Sequence, residues 1–112
     1  MSGEIRFPFA GDVDLGTIIT NALHRVVDPE MAIDIVELGL VYGVEADGRA
    51  VRARITMTSP ACPVAEYIVD EIGRELRAAL GEDVQVHVDL VWDPPWGPER
   101  LSERARTALD WD

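Results

Sequence analysis

The stretch VRARITMTSPACPVAEYIVDEIGRELRAALG, residues 51–81, decides the fold because its hydrophobic period changes in the middle. The first eight residues alternate between apolar side chains and arginine or threonine, which is typical of a half-buried strand. From Val64 to Leu80, apolar residues recur every three or four positions, and Gly81 follows. That spacing predicts an amphipathic helix that ends at the glycine. A strand therefore leads directly into a helix, with two prolines at the junction.

A second helix is predicted upstream of this stretch. Apolar residues recur at helical spacing from Leu15 to Val26, and Asp12 or Asp14 is available as the N-cap. The helix must end before Pro29, because a proline disfavours helical geometry in the residue before it.

Two more strands complete the pattern. Alternation over residues 38–44 predicts a partner for the strand in the quoted stretch, and Asp47-Gly48 predicts a hairpin because both residues tolerate positive φ. Residues 84–90 alternate again, and a short tail helix is predicted from about Glu99. The order α-β-β-α-β predicts a two-layer α/β (α+β) fold, in which helices cover a small mixed sheet.

The length of 112 residues predicts one domain. We divide the chain into an N-terminal tail (1–11), a core domain (12–92) and a Pro/Trp tail with a short helix (93–112) that packs on the same domain. No apolar run reaches the roughly 18 residues of a membrane span, and the first residues do not resemble a signal peptide. A lone cysteine cannot form an internal disulfide, so a cytoplasmic location is expected.

The charge of the chain narrows the choice of partners. The formal net charge is −11, and all ten basic residues are arginine. A surface this acidic repels phosphate backbones, so we expect no nucleic acid as partner. We expect no membrane partner either, because no apolar run is long enough to span a bilayer. Acidity that only maintains solubility is the simpler explanation of the same charge.

Cys62, the only cysteine, lies at the predicted start of the helix in the quoted stretch. Pro60 and Pro63 fit the first turn, where backbone amides have no internal acceptor. Whether Ser59 or Cys62 is the cap, the helix dipole favours a thiolate there and lowers the thiol pKa below its usual ~8.5. The alternative is a small, buried and inert cysteine. Position alone leaves both interpretations open.

Other candidate residues carry weaker signals. Asp28-Pro29-Glu30 reads first as a capped turn. His24 and His87 have no second histidine or cysteine at metal-ligand spacing, so we interpret both as surface residues. No phosphate-binding glycine loop is present, and the carboxylates are too dispersed to identify an acid–base pair.

Three blocks together resemble one protein family: VVDPEMAIDIVELGLVYGV at 26–44, ITMTSPACPVAEYIVDEI at 55–72 and VWDPPWGPERLSERAR at 91–106. The family is the iron–sulfur cluster assembly domain of bacterial SufT, of PaaD, and of a subunit of the eukaryotic MMXD complex. The resemblance covers about residues 12–110, and the third block is most similar to SufT-type members.

The resemblance implies that Cys62 is the functional thiol and the cluster or metal ligand, and that Asp28 and Glu30 belong to the signature motif. We group Thr58 and Ser59 with them as supporting residues. Many relatives have glycine where this chain has Ala61, which indicates a slightly different loop geometry. The chain lacks the cysteines expected in a PaaD tail and the P-loop of the fused ATPase form.

The function that the resemblance implies is a non-enzymatic factor that helps deliver iron–sulfur clusters to client proteins. The expected partners are other iron–sulfur assembly proteins and apo clients. Because one cysteine cannot supply a full ligand set, any cluster must be shared across a homodimer, completed by a partner or small thiol, or only touched during transfer. The alternatives are a PaaD-like accessory of one multicomponent oxygenase, an adaptor with an inert cysteine, and a thiol enzyme, which would need a base.

Three spatial expectations follow. Asp28 and Glu30 should lie near Cys62, because the outer ends of an antiparallel hairpin meet. The third strand should run parallel to the second, because a helix carries the chain back between them. Pro95 and Trp96 should then lie across the same end of the sheet and contact partners, unless Trp96 closes the core instead.

Overall fold

The computed structural model describes residues 7–47, 49–58 and 62–109, and the side chains of Cys62 and Pro63 also lie outside this description. No helix among these residues is long and apolar enough to cross a membrane. The elements in chain order are β1 (Phe9–Ala10), α1 (Val13–Leu23), β2 (Val27–Asp28), β3 (Ile33–Asp34), β4 (Val41–Asp47), β5 (Ala50–Ile55), α2 (Cys62–Leu80), β6 (Gln85–Leu90), a 3-10 turn (Pro98–Arg100) and α3 (Glu103–Leu109).

The main sheet is mixed, as the sequence predicts. Its order is β1-β4-β5-β6, and β2 and β3 form a separate two-stranded sheet. β4 and β5 are antiparallel, whereas β6 runs parallel to β5, with Val41 opposite Ile55 and Ile55 opposite Leu90. The beginning of β4 and the ends of β5 and β6 therefore lie at one end of the sheet, which we call the junction end.

Helices α1 and α2 pack against each other on one face of this sheet. The apolar stripe of α2 is fully buried at Ile68, Ile72 and Leu76. In β5, Ala53 and Ile55 are also buried, while Arg52 points to solvent. The two-layer fold and the predicted alternation of this strand are confirmed. Asp12 caps α1 by accepting a hydrogen bond from the amide of Asp14 at 2.7 Å, which selects one of the two predicted caps.

The first long strand begins later than predicted. Residues 34–39 form a compact turn in place of the first part of a strand, and β4 begins only at Val41. The Asp34 carboxylate accepts hydrogen bonds from the amides of Val36 and Glu37, both at 3.0 Å, and Gly39 has a φ of +74°. Leu38 and Leu40 are buried, but they reach the core from a turn.

Segments outside the predicted elements also contribute to the core. Residues 9–10 form β1, which pairs in parallel with β4, and Phe7 is buried. Leu101 and Ala105 bring the tail into the core. Thr56, which directly follows β5, is predicted on the polar face but is fully buried, and its amide donates to the carbonyl oxygen of Leu40.

Candidate functional site

Cys62 follows β5 after a segment of six residues. β5 ends at Ile55, and the amide of Thr56 donates to the carbonyl oxygen of Leu40 at 2.8 Å. Thr58 is half-buried, Ser59 lies outside the described residues, and Cys62 is the first residue of α2. The backbone of Cys62 is thus at the N-terminus of a 19-residue helix, where unpaired amides and the dipole favour an anion.

Asp28 holds the turn of the signature motif. Its carboxylate is 1% exposed, and Oδ1 accepts hydrogen bonds from the amides of Glu30 at 2.8 Å and Met31 at 3.1 Å. Its carbonyl oxygen accepts from the amide of Ala32 at 2.7 Å, and Ala32 has a φ of +59°. Asp28 therefore shapes the turn from inside, while the side chain of Glu30 is exposed.

The strand that leads into this turn, β2, contacts α2. β2 ends at Asp28, and the segment that follows it enters β4 at Val41, opposite Ile55. The signature turn and the cysteine-bearing segment thus both connect to the junction end of the sheet. The separation of the Asp28 and Glu30 carboxylates from the Cys62 thiol remains a prediction, because that side chain lies outside the described residues.

The tail crosses the turn that precedes β4. Trp96 Nε1 donates to the carbonyl oxygen of Leu38 at 2.7 Å, and Arg100 Nε donates to that of Gly39 at 2.8 Å. The Arg100 guanidinium also lies over the Tyr42 ring, 4.2 Å from its centroid. A Cβ at Gly39 would collide with the carbonyl oxygen of Arg100, so only glycine allows this close approach.

The two tail residues expected to contact partners differ in exposure. Pro95 is exposed, whereas Trp96 is partly buried against the core and its indole N–H is already bonded. Of the two tryptophans that the structure describes, Trp92 is the exposed one, at 48%. The Tyr42 hydroxyl donates to the carbonyl oxygen of Pro94 at 2.6 Å, which holds the segment between the two tryptophans on the sheet end.

A histidine–carboxylate cluster is the main feature that the sequence interpretation missed. His24 Nδ1 lies 3.1 Å from Asp34 Oδ1 and 4.0 Å from Glu37 Oε2, beside a cavity of about 290 Å³. These side chains could hold a metal ion in terms of donor type and spacing. However, Asp34 also binds two backbone amides, and Glu37 accepts a hydrogen bond from Ser102. We therefore interpret the cluster as a hydrogen-bonded network that joins α1, the turn at 34–39 and the segment before α3.

His24 was interpreted from sequence as a surface residue because its two partners are 10 and 13 positions away, beyond any local spacing rule. His87 is exposed, as expected, and its Nε2 lies 2.8 Å from Asp89. Thr56 was also missed: its buried hydroxyl has no hydrogen-bond partner among the described residues. It lies six positions before Cys62, in the segment that leads to the cysteine.

Comparisons with known proteins agree with this architecture. The chain is 46% identical over 92 residues to the Fe-S protein maturation auxiliary factor YitW of Bacillus subtilis, covering 81% of this chain and 89% of that protein. It is 41% identical over 85 residues to the Fe-S protein maturation auxiliary factor SufT of Staphylococcus aureus, covering 75% and 96%.

A solved structure shows the same fold. The crystal structure of a domain of unknown function, DUF59, from Bacillus anthracis matches with a TM-score of 0.80 and 39% identity, over 87% of this chain and 92% of that one. The family model described as iron–sulfur cluster assembly protein matches residues 17–88, from within α1 to within β6. The chain therefore belongs to the iron–sulfur cluster assembly protein family.

Proposed function

We propose that this protein assists the insertion or transfer of iron–sulfur clusters into client proteins, without itself catalysing a reaction, and that Cys62 is the residue that contacts the cluster. The observation that carries the proposal is that β4, which follows the signature turn, begins at the end of the sheet where β5 leaves toward Cys62, while β2 contacts α2. The similarity to two Fe-S protein maturation auxiliary factors supports the same general role.

The cluster is cargo in this proposal. The chain has one cysteine, and a resident cluster is normally held by a full set of thiolates. A single thiolate at a helix N-terminus can ligate one iron while a partner or the client supplies the remaining ligands. Such incomplete ligation favours release, because ligand exchange onto the client can finish the transfer.

The start of α2 and the signature turn supply the charges on which the proposal relies. The dipole of the 19-residue helix stabilises a thiolate, and we expect the exposed Glu30 carboxylate to add negative charge near it. Asp28 is used to fix the turn, so Glu30 is the signature carboxylate available to an incoming iron or partner. We assign Thr58 and Ser59 a supporting role in positioning the cysteine-bearing segment.

Anaerobic reconstitution with ferrous iron and sulfide tests the role of Cys62. We expect the wild-type protein to show visible charge-transfer absorbance that is lost on gel filtration or on adding a chelator, as weakly held cargo would be. The Cys62→Ser protein should show none, while Glu30→Gln should retain part of the signal.

Glu82→Gln is a control for general surface binding of iron, because it changes an exposed carboxylate between α2 and β6, at the opposite end of the sheet from the junction end. Its absorbance should equal that of the wild type. Equal absorbance in the wild-type and Cys62→Ser proteins would contradict the proposal and favour an adaptor with an inert cysteine.

A further inference from the structure

β6 forms an open edge of the main sheet among the residues that the structure describes. It pairs with β5 on one side, and the sheet order ends there. The amide of Gln85 donates to the carbonyl oxygen of Arg49 at 2.6 Å, and the amide of Val91 donates to that of Ile55 at 2.9 Å. Because strand amides alternate in direction, those of Val86, Val88 and Leu90 point toward the open edge.

Helix α2 overhangs this edge and forms a groove with it. On the helix side, Glu66, Val69, Asp70 and Gly73 follow one another at spacings of one to three residues on one face. The strand side is formed by the apolar residues of β6, including Leu90. Two adjoining cavities, of about 450 and 180 Å³, share Val69 and Asp70, so the groove is continuous along the strand.

The groove exposes apolar side chains beside the open edge of β6, where unpaired backbone groups can pair with another strand. Leu90 is 39% exposed, and the exposed Trp92 follows it. Native proteins usually protect an edge with charge, proline or covering segments, because unpaired backbone groups recruit other strands. An uncovered edge beside an apolar groove is therefore the geometry by which an extended peptide adds a strand.

The charges along the groove restrict its occupant. Glu66 and Asp70 line its wider part beside Leu90, and the net charge of the whole chain is −11. Arg77 is the one cation among the described lining residues, and it lies in the narrower part beside Val86. A basic segment is attracted to the wider part, whereas an acidic segment is repelled there.

We propose that this edge binds an extended, basic segment of an iron–sulfur client protein, which adds a strand to β6. Apolar side chains of the segment would enter the groove, and lysine or arginine would face Glu66 and Asp70. The identity of the occupant as a client rests on the proposed function above. Because Leu90 is opposite Ile55, the bound segment would end at the junction end, on the same side as the start of α2.

A hexapeptide of alternating lysine and valine, with a glutamate–valine peptide as its matched control, tests this proposal by NMR. Binding of the basic peptide should slow hydrogen exchange of the outward amides of Val86, Val88 and Leu90. Asp70→Lys should weaken binding about fivefold, as expected when an exposed attraction becomes a repulsion. Glu82→Lys changes the net charge equally but does not line the groove, so its affinity should stay within about twofold of the wild type.

Three results would overturn the proposal. If Asp70→Lys and Glu82→Lys lowered the affinity for the peptide equally, the peptide would be attracted only by the overall charge of the protein. Unchanged exchange at the three outward amides would show that the peptide binds elsewhere. Protection of those amides without peptide, together with dimers in sedimentation, would assign the edge to a second copy of the chain.

The proposed function and the docking edge can fail separately. Cys62→Ser should bind the basic peptide with wild-type affinity, since it leaves every described lining residue of the groove unchanged. If Cys62→Ser lost the absorbance on reconstitution but bound the peptide as the wild type does, both proposals would be supported. Intact peptide binding together with equal absorbance in the wild-type and Cys62→Ser proteins would reject the role of the thiol alone.

Discussion

Asp28 and Asp34 shape the loop between α1 and β4 by the same device. In each, one carboxylate oxygen accepts hydrogen bonds from the backbone amides two and three residues ahead, at distances between 2.8 and 3.1 Å. Each therefore replaces backbone acceptors that a turn lacks, as aspartate does at helix N-caps. The signature residue Asp28 therefore has a structural role, and it influences the function of the site through the shape of the turn.

Substitution of Asp28 tests this role. Asp28→Ala removes the acceptor of two amides in a buried turn, so the free energy of unfolding should fall by about 1–2 kcal/mol. Asp28→Asn keeps an oxygen in the same place and should lose less than half of that. Urea denaturation measures both, with the exposed Asp14→Ala as control. Equal losses for Ala and Asn would indicate that charge, not the acceptor, holds the turn.

For single residues, the sequence predicts the role of a side chain when its partners are close to it along the chain. The cap at Asp12 and the turn at Asp28 could be predicted, since each bonds within three residues of itself. The His24 cluster could not, because its members come together only after α1, the turn at 34–39 and the tail have packed. The role of Cys62 came from the family resemblance, because its position alone left an inert thiol equally open.

Among the elements, α1, α2, β5 and β6 follow closely from hydrophobic period, because each carries enough alternating or helical repeats to define its buried face. The beginning of β4 does not follow from the hydrophobic period. Residues 38–44 alternate, yet local capping and the positive φ of Gly39 turn the chain before Val41. β1 has only two residues and no period to read, so its pairing with β4 depends on the finished sheet.

The tail segment around Trp96 acts as an element of the fold, and its substitution should lower stability. Trp96→Phe loses the hydrogen bond from the indole to the Leu38 carbonyl, which costs about 1 kcal/mol of unfolding free energy. Trp96→Ala should cost more, because packing against the core is also lost. Trp92→Ala is the matched control, since an exposed tryptophan should change stability by less than about 0.5 kcal/mol.

Urea unfolding followed by circular dichroism, which does not depend on tryptophan fluorescence, measures these variants. If Trp96→Ala were as stable as Trp92→Ala, the tail would not close the core. The alternative from sequence, in which Trp96 offers its indole to a partner, would then be favoured. Pro95 remains a candidate partner contact in either case, because it is exposed.

Considered as a whole, the molecule places its distinctive features at one end of the sheet. The signature turn leads into β4 there, β5 leaves toward Cys62 there, and β6 ends there beside the exposed Trp92. The tail also forms hydrogen bonds with Leu38 and Gly39 in the turn that precedes β4. The formal net charge of the whole chain is −11, which disfavours phosphate-rich partners.

The central claim, that the protein matures clients through Cys62, is tested most directly by the cluster content of a client. A [4Fe–4S] client would be purified anaerobically from cells that lack this protein and carry either the wild-type or the Cys62→Ser chain at equal abundance. We predict that iron and sulfide per client polypeptide rise with the wild-type chain and stay at the level of the deficient cells with Cys62→Ser. Equal cluster content with both chains would contradict the account.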